Sequence, residues 1–177
     1  MMDMTPILLT EKKINYNNLS EFKSALKPFK SVNPSSIKEG YFYSYIYDYS
    51  EDYDLSVLKY FDYFPCSLMF TLKDPLHVFG INFHHIPLLT RNWLLSRLKI
   101  NNLQAFNLNG IHKINVSYLT LKSIMKKSPL AIRQYRTDRI HDLKIISPKQ
   151  FVDIVKYQPE TFHATQFVDV VSKYRRS

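Results

Sequence analysis

The stretch GYFYSYIYDYS, residues 40–50, puts tyrosine at every odd position from Tyr41 to Tyr49, with Phe42, Ser44, Ile46, Asp48 and Ser50 between them. A period of two is the period of a strand, whose side chains point alternately to opposite faces. One face of that strand carries a ladder of tyrosines, apolar in body and polar at the tip. Such a ladder is either the half-buried face of a small sheet or barrel, or an exposed platform on which single-stranded nucleic acid stacks its bases.

Two more β-prone runs follow, FPCSLMFTL and HVFGINF, separated by KDPL, a turn signal containing Pro75. Gly80 inside the last run marks a bulge or a close backbone approach. Strands over residues 40–85 give a small antiparallel sheet or a partly open barrel. From Thr90 the apolar period becomes helical through LLTRNWLLSRLKI, NVSYLTLKSIMKK, LAIRQYRTDRIHDL, SPKQFVDIVKY and ATQFVDVVSKY. The clearest start is SPKQ, with Ser147 as N-cap, Pro148 at the first helical position and Gln150 closing a capping box. Phe151, Ile154 and Val155 form the buried stripe of that helix; Phe167, Val170, Val171 and Tyr174 repeat it in the last one. The expected fold is α+β. Residues 1–39 read as a polar arm with a short helix around Leu19–Leu26. Residues 40–177 read as one domain, β-rich over 40–86 and helical over 88–177.

At 177 residues the chain is long enough for one filled core, and 45% hydrophobic against 22% charged residues makes it globular. No apolar run reaches the 18 residues a bilayer-spanning helix needs, so no membrane partner is expected. The opening PILL stretch between Asp3 and Glu11 reads as neither signal nor transit peptide. A lone Cys66 excludes an intramolecular disulfide and a zinc site built from cysteines, and fits synthesis in a reducing compartment.

The adjacent His84-His85 is the first candidate for chemistry. Neighbours in an extended segment point to opposite faces and grip one metal poorly. Zinc pairs sit at i, i+4 on a helix with a third ligand nearby, and no two histidines here have that spacing. The doublet reads instead as a corner, with one imidazole hydrogen-bonded to backbone and Arg91 or an acid beside it. The three scattered glycines build no phosphate loop, no GxSxG elbow occurs, and Cys66 has no evident His–Asn partner. The expectation is a non-enzyme with no catalytic residues, metal, cofactor or small-molecule substrate.

Charge is the strongest remaining signal. Residues 41–75 hold two Lys and six acids, whereas residues 76–177 hold sixteen Lys or Arg and five acids. Such asymmetry fits a polyanion or an acidic partner surface, or a solvated helix face. Lys126, Lys127, Arg133, Arg136 and Arg139 are the candidate contacts. On a helix the three arginines, spaced by three, make one ridge suited to phosphate or carboxylate, unless Asp138 and Asp142 pair with them.

Several stretches together resemble a family of small virion proteins of contractile-tailed bacteriophages. The shared pattern is an aromatic strand ending in Tyr-Asp, a Tyr-Tyr-Asp-x-Phe-Pro segment, and G-x-N-x-H-x-x-P with an Arg after it. Here these are YIYD at Tyr45–Asp48, YFDYFP at Tyr60–Pro65, and GINFHHIP at Gly80–Pro87 with Arg91. IRQYRTDRI resembles the family's basic segment, and SPKQFVDIVKYQPETF its closing one. The likeness covers residues 40–177, with Phe61 where Tyr is common and His85 where an aromatic is usual. Members are virion proteins, some of them DNA end protector proteins. The resemblance implies a structural component of the neck, tail or baseplate, located in the virion after synthesis in the host cytoplasm. Its partners would be other phage structural proteins or double-stranded DNA. Tyr47, Asp62, Pro65, Gly80, Asn82, His84, Pro87 and Arg91 would hold the corners of the fold.

Overall fold

The computed structural model describes residues 23–49, 61–98, 113–154 and 163–164. The expected last helix with Phe167 and most of the arm lie outside these residues. The strands are β1 (Lys30–Ser31), β2 (Tyr41–Tyr47), β3 (Phe61–Asp62), β4 (Cys66–Asp74), β5 (His77–Asn82), β6 (Ile132–Arg136), β7 (Ile140–Ile146) and β8 (His163–Ala164). Among the described residues, 23–26 are helical, within the short helix expected around Leu19–Leu26, and the further α-helices are α1 (Leu88–Arg97), α2 (Tyr118–Lys127) and α3 (Pro148–Ile154). Six strands form one antiparallel sheet in the order β1-β7-β2-β4-β5-β6, and β3 pairs with β8. The fold is α+β, an open antiparallel sheet with its helices mostly in the C-terminal half.

β2 owes its place to its composition. β2 is paired on both edges, by β7 and β4, and is buried along most of both faces. On the even side Phe42 stacks on Phe151 of α3 at 3.8 Å between centroids. On the odd side Tyr45 and Tyr47 meet Tyr135 of β6 edge-on, at 5.4 and 5.0 Å. Tyr43, Tyr45, Tyr47 and Tyr49 are all buried. The ladder is core, with no platform left for bases.

Those cross-sheet ring contacts imply a rolled sheet. Laid flat, β7 and β6 would stand about 19 Å apart, four strand spacings of roughly 4.8 Å. Only the 3-10 turn Thr137–Arg139 separates the end of β6 from the start of β7, and such a turn spans about 8 Å. The sheet curls until its ends approach at this corner. Tyr47 bridges the gap, its hydroxyl accepting the Arg136 backbone N–H at 3.1 Å.

The segment LAIRQYRTDRIHDL, expected as a helix, is β6, the turn and most of β7. The sheet therefore extends beyond residues 40–86 into the basic half. A bulge explains the misreading. Ser44 pairs with Lys144 but Ile46 with His141, so Asp142 and Leu143 both stand opposite Tyr45. Asp142 has φ 45°, a left-handed conformation that Asp tolerates better than most residues. The extra residue puts Leu143 on the same face as Ile140, that of Tyr45 and Tyr47, while Ile146 lies on the other face opposite Phe42; all three are buried, and their spacing of three imitates a helical stripe. The arm also contributes more than a polar tail: β1 pairs with β7, and Leu26 and Ile37 are in the core.

Three junctions fix the remaining elements. α3 starts at the expected capping box, with Gln150 N–H donating to Ser147 Oγ at 3.4 Å and Ser147 Oγ–H to Gln150 Oε1 at 2.6 Å. Gly80 has no room for a side chain, since a Cβ would lie 2.9 Å from Met69 Sδ and 3.3 Å from Ser67 Cβ. Gly40 has φ +85°, and a Cβ there would stand 2.7 Å from the Ile114 carbonyl oxygen. Its N–H donates to Met69 O at 2.7 Å and its carbonyl accepts from Ile114 N–H at 2.6 Å. Gly40→Ala should therefore cost more than about 1 kcal/mol, read as a lowered urea midpoint; an unchanged midpoint would contradict this account of the junction.

Candidate functional site

The motif residues converge on one buried corner. Asp62 ends β3, Asn82 ends β5, His84 lies in the 3-10 turn Phe83–His85, and Tyr135 comes from β6. Asp62, Asn82 and His84 are each at most 2% exposed. Asp62 Oδ2 accepts from Asn82 Nδ2 at 2.7 Å and from His84 Nδ1 at 2.9 Å. Its Oδ1 accepts the Phe64 backbone N–H at 3.2 Å. Asn82 Nδ2 also donates to the Tyr135 hydroxyl at 3.1 Å, and Asn82 Oδ1 accepts His84 N–H at 3.0 Å, starting the turn. Donation to Asp62 fixes the proton of His84 on Nδ1.

The other motif positions brace this corner. Pro87 precedes α1, and its carbonyl accepts the Arg91 N–H at 2.9 Å. Arg91, 2% exposed, reaches back with Nε to Ile86 O at 2.7 Å. Pro65 O accepts from Tyr45 N–H at 3.3 Å. His84 thus pairs with a carboxylate, and the acid beside the doublet comes from β3.

Burial sets the protonation of the surrounding groups. It pushes the Cys66 thiol well above its ordinary range, with the Asp62 charge adding to the effect, so the buried sulfur is held as an unreactive thiol. Burial first, then the Asp62 charge, raises the Tyr135 hydroxyl. Burial lowers His85 to about 4, with the Asp62 charge opposing this and His84, Arg133 and Arg91 adding to it. Among the described residues no three His, Cys, Asp or Glu side chains converge as metal ligands. The corner is a proton-fixed brace.

The basic candidates disperse. Positions three apart on a strand face opposite ways, so Arg133 lies on the side of Tyr135 and Arg136 on the other. The single ridge expected of Arg133, Arg136 and Arg139 does not exist. Arg136 forks onto Asp138, with Nε to Oδ1 at 3.0 Å and Nη2 to Oδ2 at 2.7 Å, an exposed pair of small energetic weight. Arg139 ends the turn before β7. Lys126 and Lys127 are exposed at the end of α2, Lys127 with Nζ 5.2 Å from the Trp93 ring centroid.

Two surfaces carry no motif. An open cleft of about 500 Å³ runs beside β1, walled by Lys30, Lys38, Ser36, Tyr41 and Ile145 among others. The outer face of α2 exposes Tyr118, Leu119 and Met125. The amphipathic period of α2 signalled its buried side only. The cleft depends on β1 pairing with β7 across the chain, which no local pattern announces. Compared with protein-family models, curated proteins and solved structures, the chain gives no match.

Two outcomes check the corner. Asp62→Ala leaves buried Asn82 and His84 donors unanswered and should lower unfolding stability by about 3–5 kcal/mol in urea titration. The His85 shift gives a pH test. The unfolded chain takes up that proton below its ordinary value of 6.5, while the folded chain waits until about 4. Between those values the unfolded state binds more protons, so stability falls as pH falls. His85→Gln should flatten that slope; an unchanged slope would rule out His85 as its source.

Proposed function

We propose that this chain is a non-enzymatic structural component of a tailed-bacteriophage virion, in the neck, tail or baseplate region, docking by its cationic surface on an acidic neighbouring protein. The motif likeness over residues 40–177 motivates the placement in a particle. The observation that carries the non-enzymatic part is the buried corner. Asp62, His84, Asn82 and Tyr135 are buried and joined by hydrogen bonds, and catalytic groups must reach a reacting atom. What faces solvent is lysine-rich helix and scattered arginine.

A DNA end protector is the second reading, and the net charge of +9 favours it. The dispersal of Arg133, Arg136 and Arg139 weighs against a continuous phosphate-tracking ridge. Salt separates the two. An end protector contacting about six phosphates should lose roughly a thousandfold in affinity for linear duplex between 50 and 200 mM salt. A protein adaptor should show no retention at either salt. Gradient-purified particles should contain the chain, and Lys126→Glu with Lys127→Glu should fold normally yet be depleted from them. Recovery of the wild-type chain only as free protein would overturn the structural reading.

A further inference from the structure

Helix α2 has a solvent face of unusual composition. Its buried side is Thr120 and Ile124. At 100° per residue the opposite side gathers Tyr118, Leu119, Lys122, Met125 and Lys126. Tyr118 is 75% exposed, Leu119 65% and Met125 61%, so large apolar side chains share this face with lysines. α1 lies alongside, with Trp93 under Lys127 and Leu89 83% exposed. Single exposed apolar residues are ordinary, but three on one helical face, interleaved with lysines, mark a contact surface. The charge is of one sign: residues 75–137 hold nine Lys or Arg and no Asp or Glu.

We propose that the α1–α2 face docks an acidic amphipathic helix of a neighbouring protein. Tyr118, Leu119 and Met125 would take its apolar stripe, and Lys122 and Lys126 would meet its carboxylates. The pattern selects this occupant over two others. A nucleic-acid backbone answers lysines but leaves Leu119 and Met125 in water. An anionic bilayer takes apolar side chains with lysines at their border, whereas Lys122 sits at the centre of this stripe, where insertion would strip its hydration. A protein helix can place a carboxylate opposite Lys122 and apolar side chains on either side of it. The inference rests on the acidic-neighbour reading above and gives that neighbour its chemistry.

The probe is a fluorescein-labelled synthetic helical peptide with Leu at i, i+3, i+4 and i+7 and Glu between them. Its fluorescence anisotropy should rise saturably as the protein is added. Leu119→Ser with Met125→Ser should weaken binding by roughly tenfold or more, as expected when two apolar side chains lose their burial. Lys122→Glu should weaken it as well. All substituted side chains are exposed, so each variant should keep the wild-type melting curve. Phosphatidylglycerol vesicles and linear duplex should not displace the peptide. No rise with the peptide, equal affinity in the variants, or displacement by vesicles or duplex would overturn the proposal. Peptide binding by a chain absent from purified particles would uphold this surface and remove the virion reading. Particle incorporation by a chain indifferent to the peptide would do the reverse.

Discussion

A carboxylate at zero exposure is the constraint on which the rest of the fold depends. Asp62 lies in a medium where an unanswered charge costs several kcal/mol, and the donors around it offset that cost. They include Phe64 beside it and Asn82 and His84, 20 and 22 residues away. Asn82 then extends the network to Tyr135, a further 53 residues along the chain. A short strand outside the main sheet is thereby tied to the end of β5 and to edge strand β6. An apolar core of the same size could gain as much burial but would not specify which segments meet. A polar network tolerates only the arrangement in which its donors are answered.

The tyrosines extend this specification across the rolled sheet. Tyr135 receives a hydrogen bond from Asn82 at its hydroxyl and packs against the rings of Tyr45 and Tyr47. Tyr45 reaches Ser67 of β4 at 3.1 Å, and Tyr47 reaches the backbone of β6. Each phenol thus buries its ring and delivers its polar end to a partner, on a neighbouring strand for Tyr45 and Tyr135 and across the curl for Tyr47, which phenylalanine could not do. Gly80 serves the same packing, because the Tyr135 ring lies 3.5 Å from where its Cβ would be.

How much of this could be read from the sequence depended on the range of the cause. β2 and the α3 capping box were legible because a two-residue period and a four-residue cap are local. β7 was not. Its bulge at Asp142 is stabilised by pairing with β2 across the chain, and the resulting three-residue spacing of Ile140, Leu143 and Ile146 reads as a helix to any local rule. The arginine ridge fell with it, since Arg133 and Arg136 share a face only if the backbone is helical. Asp62, Asn82, His84 and Arg91 were legible as positions of a pattern, but their grouping was not. Nothing near residue 62 announces that its carboxylate will meet an imidazole 22 residues on.

The basic half holds both committed and outward-facing cations: Lys144 pairs with Asp142 and Ser31, whereas Arg97 is exposed. The guanidinium groups of Arg91 and Arg136 are committed internally, to Ile86 O and to Asp138. Planar forks suit such fixed, directional bonds. The ammonium groups of Lys122 and Lys126 stand on an exposed helical face instead, where a point charge on a flexible stem attracts without demanding one orientation. The proposed acidic partner would feel such a surface from a distance set by the Debye length, about 8 Å at physiological salt. Short-range fit would then be left to Tyr118, Leu119 and Met125, which are exposed while most aromatic side chains among the described residues are buried or half-buried. Buried Arg91 thus braces the fold, and the lysines with the exposed apolar side chains would form the proposed contact.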